Sequence, residues 1–185
     1  VYLAPTCKEE YLKMLDWATT QDMYPVAIRT PFTNYISTGI YDNTDYSILN
    51  KFEVKENGSE IAIVAVGDFF ELGKSVKELI KSKLNINSTL INPKFISGLD
   101  KELLENLKQN HKIVITLENG ILEGGFGQKI ASFYGNSKMR VLNFGGKKIF
   151  TDRVPMDEIL RENHLTPELI ASDIEKCLNS LTVEV

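Results

Sequence analysis

The segment Ile113 to Gly127, IVITLENGILEGGFG, constrains this chain more than any other. Its apolar start, Ile113 to Ile115, is rich in β-branched residues and too short for a helix. That suits a strand buried on both faces of a parallel sheet. The strand is expected to stop at the polar pair Glu118 and Asn119. Gly120 follows, then Gly124, Gly125 and Gly127, then a helical pattern with Ile130, Phe133 and Tyr134 on one side. Strand, acidic tip, glycine-rich turn and helix form half of a βαβ unit. In open α/β sheets the carboxyl ends of such strands are where ligands and partner domains meet.

The rest of the chain repeats this alternation. Val1 to Ala4 reads as a strand, and Thr6 with Glu9 has the T-x-x-E spacing of a capping box. The helix behind it carries Tyr11, Met14, Leu15 and Ala18 at helical spacing. Pro25 to Ile28 is a second short strand, which delivers Arg29 to its end. Residues 32 to 50 lack a sustained period and read as a connection, with Tyr35, Ile36, Ile40, Tyr41 and Tyr46 as anchors. From Lys51 the pattern is regular. Phe52 and Val54 alternate with charges, and Asn57-Gly58 predicts a hairpin turn into the strand Ile61 to Val66. A helix with Leu72, Val76, Leu79 and Ile80 inward comes next, then a strand at Ser88 to Ile91. Asp100 is placed to cap a helix bearing Leu103, Leu104 and Leu107. Beyond the central segment come a strand at Arg140 to Phe144, a short helix from Pro155, and a last helix from Thr166-Pro167. Strands alternating with helices of this length predict an α/β fold with a mostly parallel sheet covered on both faces.

Charge and cysteine usage narrow the function classes. A net charge of −4 with dispersed Lys and Arg excludes a nucleic-acid surface, which needs clustered cations. No apolar run approaches the ~20 residues of a membrane span. Two cysteines far apart in sequence, Cys7 and Cys177, fit a reducing, cytoplasmic setting. The chain opens on Val1 rather than Met and is expected to be a piece of a longer protein.

Few residues offer chemistry. The glycines at 124, 125 and 127 are spaced G-G-x-G, not the G-x-G-x-x-G of a dinucleotide site. They read as positions where backbone must pack closely. Glu118 and Asn119, with Glu123 nearby, could do acid–base work but have no His or Cys beside them. They read as a hydrogen-bonded tip that shapes the turn. His111 and His164 lack metal-ligand spacing and read as surface residues. Arg29, at a strand end, could hold an anion bidentately or simply be solvated or ion-paired.

Several of these segments, in order, resemble the 1-deoxy-D-xylulose-5-phosphate synthase family of the transketolase group. Thr116-Leu117-Glu118-Asn119 with Gly124-Gly125-Phe126-Gly127 is similar to that family's T-x-E-E-N-x-x-x-G-G-x-G. Val141 to Gly145 is similar to V-L-N-I/L-G, and Asn92 to Asp100 resembles R-F-V-K-P-L-D. Trp17-Ala18 through Pro25 to Pro31 resembles W-A through P-x-A-x-R-Y-P-R-G. The resemblance implies that residues 1 to 45 end a pyrimidine-binding α/β domain and include the linker. Residues 46 to 185 would form a transketolase C-terminal domain. That domain is a three-layer α/β/α sandwich around a five-stranded, mostly parallel mixed sheet. The family joins pyruvate to glyceraldehyde 3-phosphate, losing carbon dioxide, with thiamine diphosphate and Mg²⁺. The cofactor site lies upstream, so no cofactor is expected on this chain alone, which would be structural and inactive. The resemblance also implies the remaining parent domains as partners, and a homodimer. Arg29 matches the first arginine of R-Y-P-R-G and is the substrate-phosphate candidate, while Phe32 stands where the second would be. Alternatives are a transketolase, a 2-oxo-acid dehydrogenase β subunit, or a non-catalytic dimerisation domain.

Overall fold

A computed structural model describes residues 1–31 and 34–183. Seven strands and six α-helices follow in the order β1 (Tyr2–Leu3), α1 (Lys8–Thr20), β2 (Ala27–Ile28), β3 (Glu53–Glu56), β4 (Glu60–Ala65), α2 (Phe70–Leu84), β5 (Thr89–Asn92), α3 (Lys101–Leu107), β6 (His111–Ile121), α4 (Phe126–Tyr134), β7 (Arg140–Gly146), α5 (Met156–Glu162) and α6 (Pro167–Val183). A 3-10 turn, Gly67–Phe69, joins β4 to α2. The main sheet has the order β3-β5-β4-β6-β7. Its β4, β5, β6 and β7 run parallel, and β3 is antiparallel at the edge.

Residue alternation along β4 explains the three layers. Ile61, Ile63 and Ala65 face one side, where Phe70, Val76 and Ile80 of α2 and Ile170 and Ile174 of α6 cover them. Ala62 and Val64 face the other side, with Leu104 of α3 and Ile130 and Tyr134 of α4. Each fully buried isoleucine contributes about 2 kcal/mol by removal of apolar area from water. The result is the expected α/β/α sandwich with a five-stranded mixed sheet.

Two local readings are corrected. Asn57-Gly58 is no hairpin turn, because β5 lies between β3 and β4. Gly58 instead packs on the β5 approach: a Cβ there would sit 2.0 Å from the Asn87 carbonyl oxygen. Its N–H donates to Thr89 Oγ1 (2.9 Å). Strand β6 does not stop at Glu118 either. It runs on to Ile121, with its register to β7 shifting between Leu117 and Ile121.

His111, expected on the surface, is a half-buried wedge. Its Nε2 lies 2.8 Å from Thr89 Oγ1 and its Nδ1 3.0 Å from the Leu107 carbonyl oxygen. The carbonyl can only accept, so Nδ1 carries the proton and Nε2 accepts from Thr89. Burial lowers the imidazole pKa, the Leu107 carbonyl and the Glu60 charge opposing it. A depressed histidine contributes stability that is complete above its unfolded pKa and is lost as pH falls. Urea unfolding should therefore show stability declining as pH drops from about 7 to about 5.5, with a shallower decline in His111→Gln. An equal slope in both would remove His111 as its source. His164 is exposed, with Nδ1 2.6 Å from Asp173 Oδ2.

The N-terminal segment is stitched to this sandwich. β1 pairs in parallel with β2 on one side. On its other side the Ala4 N–H donates to the Lys94 carbonyl (2.8 Å) and the Ile96 N–H to the Tyr2 carbonyl (2.9 Å). Leu3, Met14, Tyr46 and Phe95 form a small buried cluster at this seam. Of the residues at helical spacing on α1, Met14 is buried as expected, while Leu15 is 40% exposed. The capping-box expectation is displaced by one residue. Helix α1 begins at Lys8, so Glu10, not Glu9, reaches back to Thr6, accepting from its N–H (2.9 Å) and hydroxyl (3.0 Å).

Candidate functional site

The carboxyl ends of β2, β4 and β6 bring Arg29, Asp68, Asn119 and Glu118 to one region. β6 delivers Glu118 and Asn119 in alternation, so one points inward and the other outward. Glu118 is buried. Its carboxylate accepts from the backbone N–H groups of Phe126 and Gly127, each at 2.9 Å. These are unpaired donors at the start of α4, where the helix dipole also favours a negative charge. Asn119 is exposed, and its Nδ2 donates to Asp68 Oδ2 (2.7 Å), tying the β6 tip to the start of the 3-10 turn.

The glycine-rich turn serves this arrangement. Gly124 has φ +75°, a left-handed conformation that L side chains rarely adopt. A Cβ on Gly125 would lie 2.6 Å from Glu118 Oε1. At Gly127 a Cβ would lie 2.4 Å from Thr116 Oγ1 and 2.7 Å from Asn143 Oδ1, so α4 rests directly on β6 and β7. A diphosphate does not fit the first turn of α4, since the amides it would use already hold the Glu118 carboxylate. Among the described residues, no group of three or more His, Cys, Asp or Glu side chains is placed to hold a metal ion.

Arg29 follows β2 and is half-buried. Its guanidinium lies against Gly120, where a Cβ would sit 3.6 Å from one terminal nitrogen and 3.8 Å from the other. The same Cβ would be 3.6 Å from Glu118 Oε2, so Gly120 separates the guanidinium from the buried carboxylate. Among the described residues no side chain or carbonyl accepts a hydrogen bond from this guanidinium. The Tyr35 hydroxyl donates to the Arg29 carbonyl (2.9 Å) and its ring stacks on Tyr11 at 5.0 Å. Burial, with the nearby Tyr11 and Asp68, pushes the Tyr35 phenol up to about 12, so it stays protonated. Phe32, aligned with the family's second arginine, lies outside the described residues. Glu123 is turned to solvent, 3.6 Å from Lys148. Asp68 was not singled out from sequence, and Tyr35 was read only as an anchor of the connection. The aspartate of a Gly-Asp pair at a strand end looks like an ordinary turn residue, and only the topology brings it to Asn119.

A larger polar cluster, also missed, lies at the seam between the N-terminal segment and the sandwich. Lys94 is almost fully buried, with Nζ 2.8 Å from Glu53 Oε2, 3.3 Å from Asp42 Oδ1 and 3.8 Å from Glu10 Oε1. It also donates to Thr44 Oγ1 and lies over the Tyr46 ring. Burial pulls the ammonium pKa down, but the Glu53 hydrogen bond and the Glu10, Glu53 and Asp42 charges more than offset this, and the net shift is upward. Burial likewise opposes ionisation of Asp42, yet Thr44, Tyr46 and Lys94 hold its carboxyl below the ordinary range.

Comparison with known proteins places this geometry in a family. Residues 50–170 match the family "Transketolase, C-terminal domain". The chain is 34% identical over 179 residues to the 1-deoxy-D-xylulose-5-phosphate synthase of Clostridium tetani (strain Massachusetts / E88), covering 95% of this chain and 28% of that protein. It is 35% identical over 131 residues to the enzyme of the same name from Lachnoclostridium phytofermentans, covering 71% of this chain and 20% of that protein. Among solved structures, the split-gene transketolase in an inactive β4 tetramer superposes with a TM-score of 0.77 at 19% identity, covering 96% of this chain and 57% of that one. A transketolase R525L mutant from Pichia stipitis gives 0.68 at 16% identity, covering 95% and 24%. The chain thus spans 20 to 28% of the length of these two synthases, and it belongs to the transketolase C-terminal domain family.

Proposed function

We propose that this chain is the carboxyl-terminal part of a thiamine-diphosphate-dependent synthase that joins pyruvate to glyceraldehyde 3-phosphate, giving 1-deoxy-D-xylulose 5-phosphate and carbon dioxide. The observation that carries this is the identity to 1-deoxy-D-xylulose-5-phosphate synthases sustained over 95% of the chain. Residues 1 to 45 then end a pyrimidine-binding domain and cross to residues 46 to 185, the C-terminal domain. The preceding domains of the parent are the partners. A cytoplasmic homodimer is the assembly the resemblance favours, and the oligomeric form of the split-gene transketolase relative is consistent with self-association.

In the parent, thiamine diphosphate with Mg²⁺ supplies the carbanion chemistry from domains upstream of this chain. The residues here do other work. Glu118 anchors the start of α4 and keeps the β6 tip rigid. Asn119 and Asp68 fix the neighbouring loop, and the Arg29 guanidinium lies beside Gly120. With no partner among the described residues, Arg29 presents donors that suit the phosphate of glyceraldehyde 3-phosphate. Because the family's cofactor site lies in the preceding domains, the isolated chain is proposed to be inactive.

Arg29→Ala in the full-length parent tests the assignment. The expected result is a KM for glyceraldehyde 3-phosphate raised on the order of 50-fold, with the KM for pyruvate changed far less. An equal change in both constants would show that Arg29 does not read the phosphate.

A further inference from the structure

A cavity of about 530 Å³ lies between the start of α1, the connection before β3 and the start of α2. Thr6, Cys7, Glu10 and Phe70 line its floor, and Ile36, Thr38, Ile40 and Tyr41 form an outer wall. That wall is not held by apolar burial, because Ile36, Ile40 and Tyr41 are 56%, 73% and 68% exposed. A segment with so little burial opens at low free-energy cost unless polar contacts restrain it.

Besides one backbone contact at its first residue, where the Lys8 N–H donates to the Ile36 carbonyl (3.0 Å), the restraint is a carboxylate. Glu9 Oε1 accepts from Ser37 Oγ (2.5 Å) and the Gly39 N–H (3.0 Å), while Oε2 accepts from the Thr38 N–H and hydroxyl (both 3.1 Å). Gly39 has φ +69° and open space around its Cα, as the apex of a turn would. Both flanks are tethered more firmly. Upstream, Tyr35 stacks on Tyr11 and donates to Arg29. Downstream, Asp42 accepts from Tyr46 (2.6 Å) and Thr44 (2.5 Å) and pairs with buried Lys94.

We infer that residues 36–41 are a strap over this cavity, tethered at both ends and latched at its middle by Glu9, so that release of Glu9 opens the cavity. Cys7 is a ready reporter because it lines the floor and is only 9% exposed. Cys177, half-buried on α6, is the internal control.

The test follows labelling of both thiols by a disulfide reagent, located residue by residue with mass spectrometry, in two variants. Glu9→Gln weakens the latch from one side; Ser37→Ala with Thr38→Ala weakens it from the other and leaves the Glu9 charge beside Cys7. The expected result is Cys7 labelling about tenfold faster in both variants, with Cys177 unchanged. Three results would overturn the strap. One is an unchanged Cys7 rate. Another is acceleration in Glu9→Gln alone, which would report altered thiol acidity. The third is a parallel rise at Cys177, which would report loosening of the whole chain.

Discussion

Lys94→Met is expected to destabilise the chain by about 4 kcal/mol, the cost of removing one partner from a buried charge cluster. The substitution keeps most of the side-chain volume, so the loss is electrostatic rather than a cavity. Glu10 and Asp42, both largely buried, would be left without the Lys94 ammonium 3.8 Å and 3.3 Å from them. Lys55 still lies 2.8 Å from Glu53 and 3.7 Å from Glu10, but among the described residues it makes no ion pair with Asp42, which loses its cation. The pH dependence separates this cause from a general packing defect. In the native chain the Asp42 and Glu53 carboxyls titrate below their ordinary range. Depressed carboxyls contribute stability that is present above their unfolded pKa and is lost as pH falls through the folded one. Thr44, Tyr46 and Lys55 also hold these carboxyls down, but without Lys94 the carboxylates are less favoured in the folded state. The gap between native chain and variant, measured by urea unfolding, should therefore narrow as pH is lowered. A gap constant with pH would mean that packing, not charge, is what was lost.

Gly127→Ala is the second large effect. Alanine is normally the better helix former, worth about 1 kcal/mol over glycine. Here the added methyl would meet Thr116 Oγ1 at 2.4 Å and Asn143 Oδ1 at 2.7 Å. Those atoms cannot swing aside cheaply, because the Thr116 hydroxyl donates to Asn143 Oδ1 (2.8 Å) across β6 and β7. Helix α4 would have to lift, and lifting it pulls the Phe126 and Gly127 amides from Glu118. A net loss of about 3 kcal/mol is expected in urea unfolding. Gly124→Ala has open space and meets only its left-handed backbone, which costs roughly 1 kcal/mol. A smaller loss at Gly127 than at Gly124 would contradict the close approach of α4 to β6 and β7.

Much of the sandwich was legible because buried parallel strands announce themselves. Ile61 to Val66 and Ile113 to Ile115 are apolar runs that only a sheet covered on both faces accommodates. Asp100 also behaves as its position suggests, accepting from the Leu103 N–H at the start of α3. The misreadings share a physical cause, in that long-range contacts overrode local signals. Asn57-Gly58 is sound turn chemistry, yet parallel pairing with β4 places β5 between the two strands, which turn residues cannot encode. In the connection before β3, apolar residues were expected as anchors. Tyr46 is one, while Ile36, Ile40 and Tyr41 stay exposed and the anchoring passes to Asp42 and Glu9. Glu10, Asp42 and Lys94 look like solvated charges in sequence. Only the folded seam shows them sharing one buried site. The same holds for Arg29, whose spacing suggested an anion contact without showing which strand end it would face.

The most direct measurement is product analysis for the full-length parent incubated with pyruvate, glyceraldehyde 3-phosphate, thiamine diphosphate and Mg²⁺. The expected result is 1-deoxy-D-xylulose 5-phosphate formed with release of one carbon dioxide per product. Ketol transfer between sugar phosphates, with no decarboxylation of pyruvate, would contradict it and assign the parent to the transketolases instead.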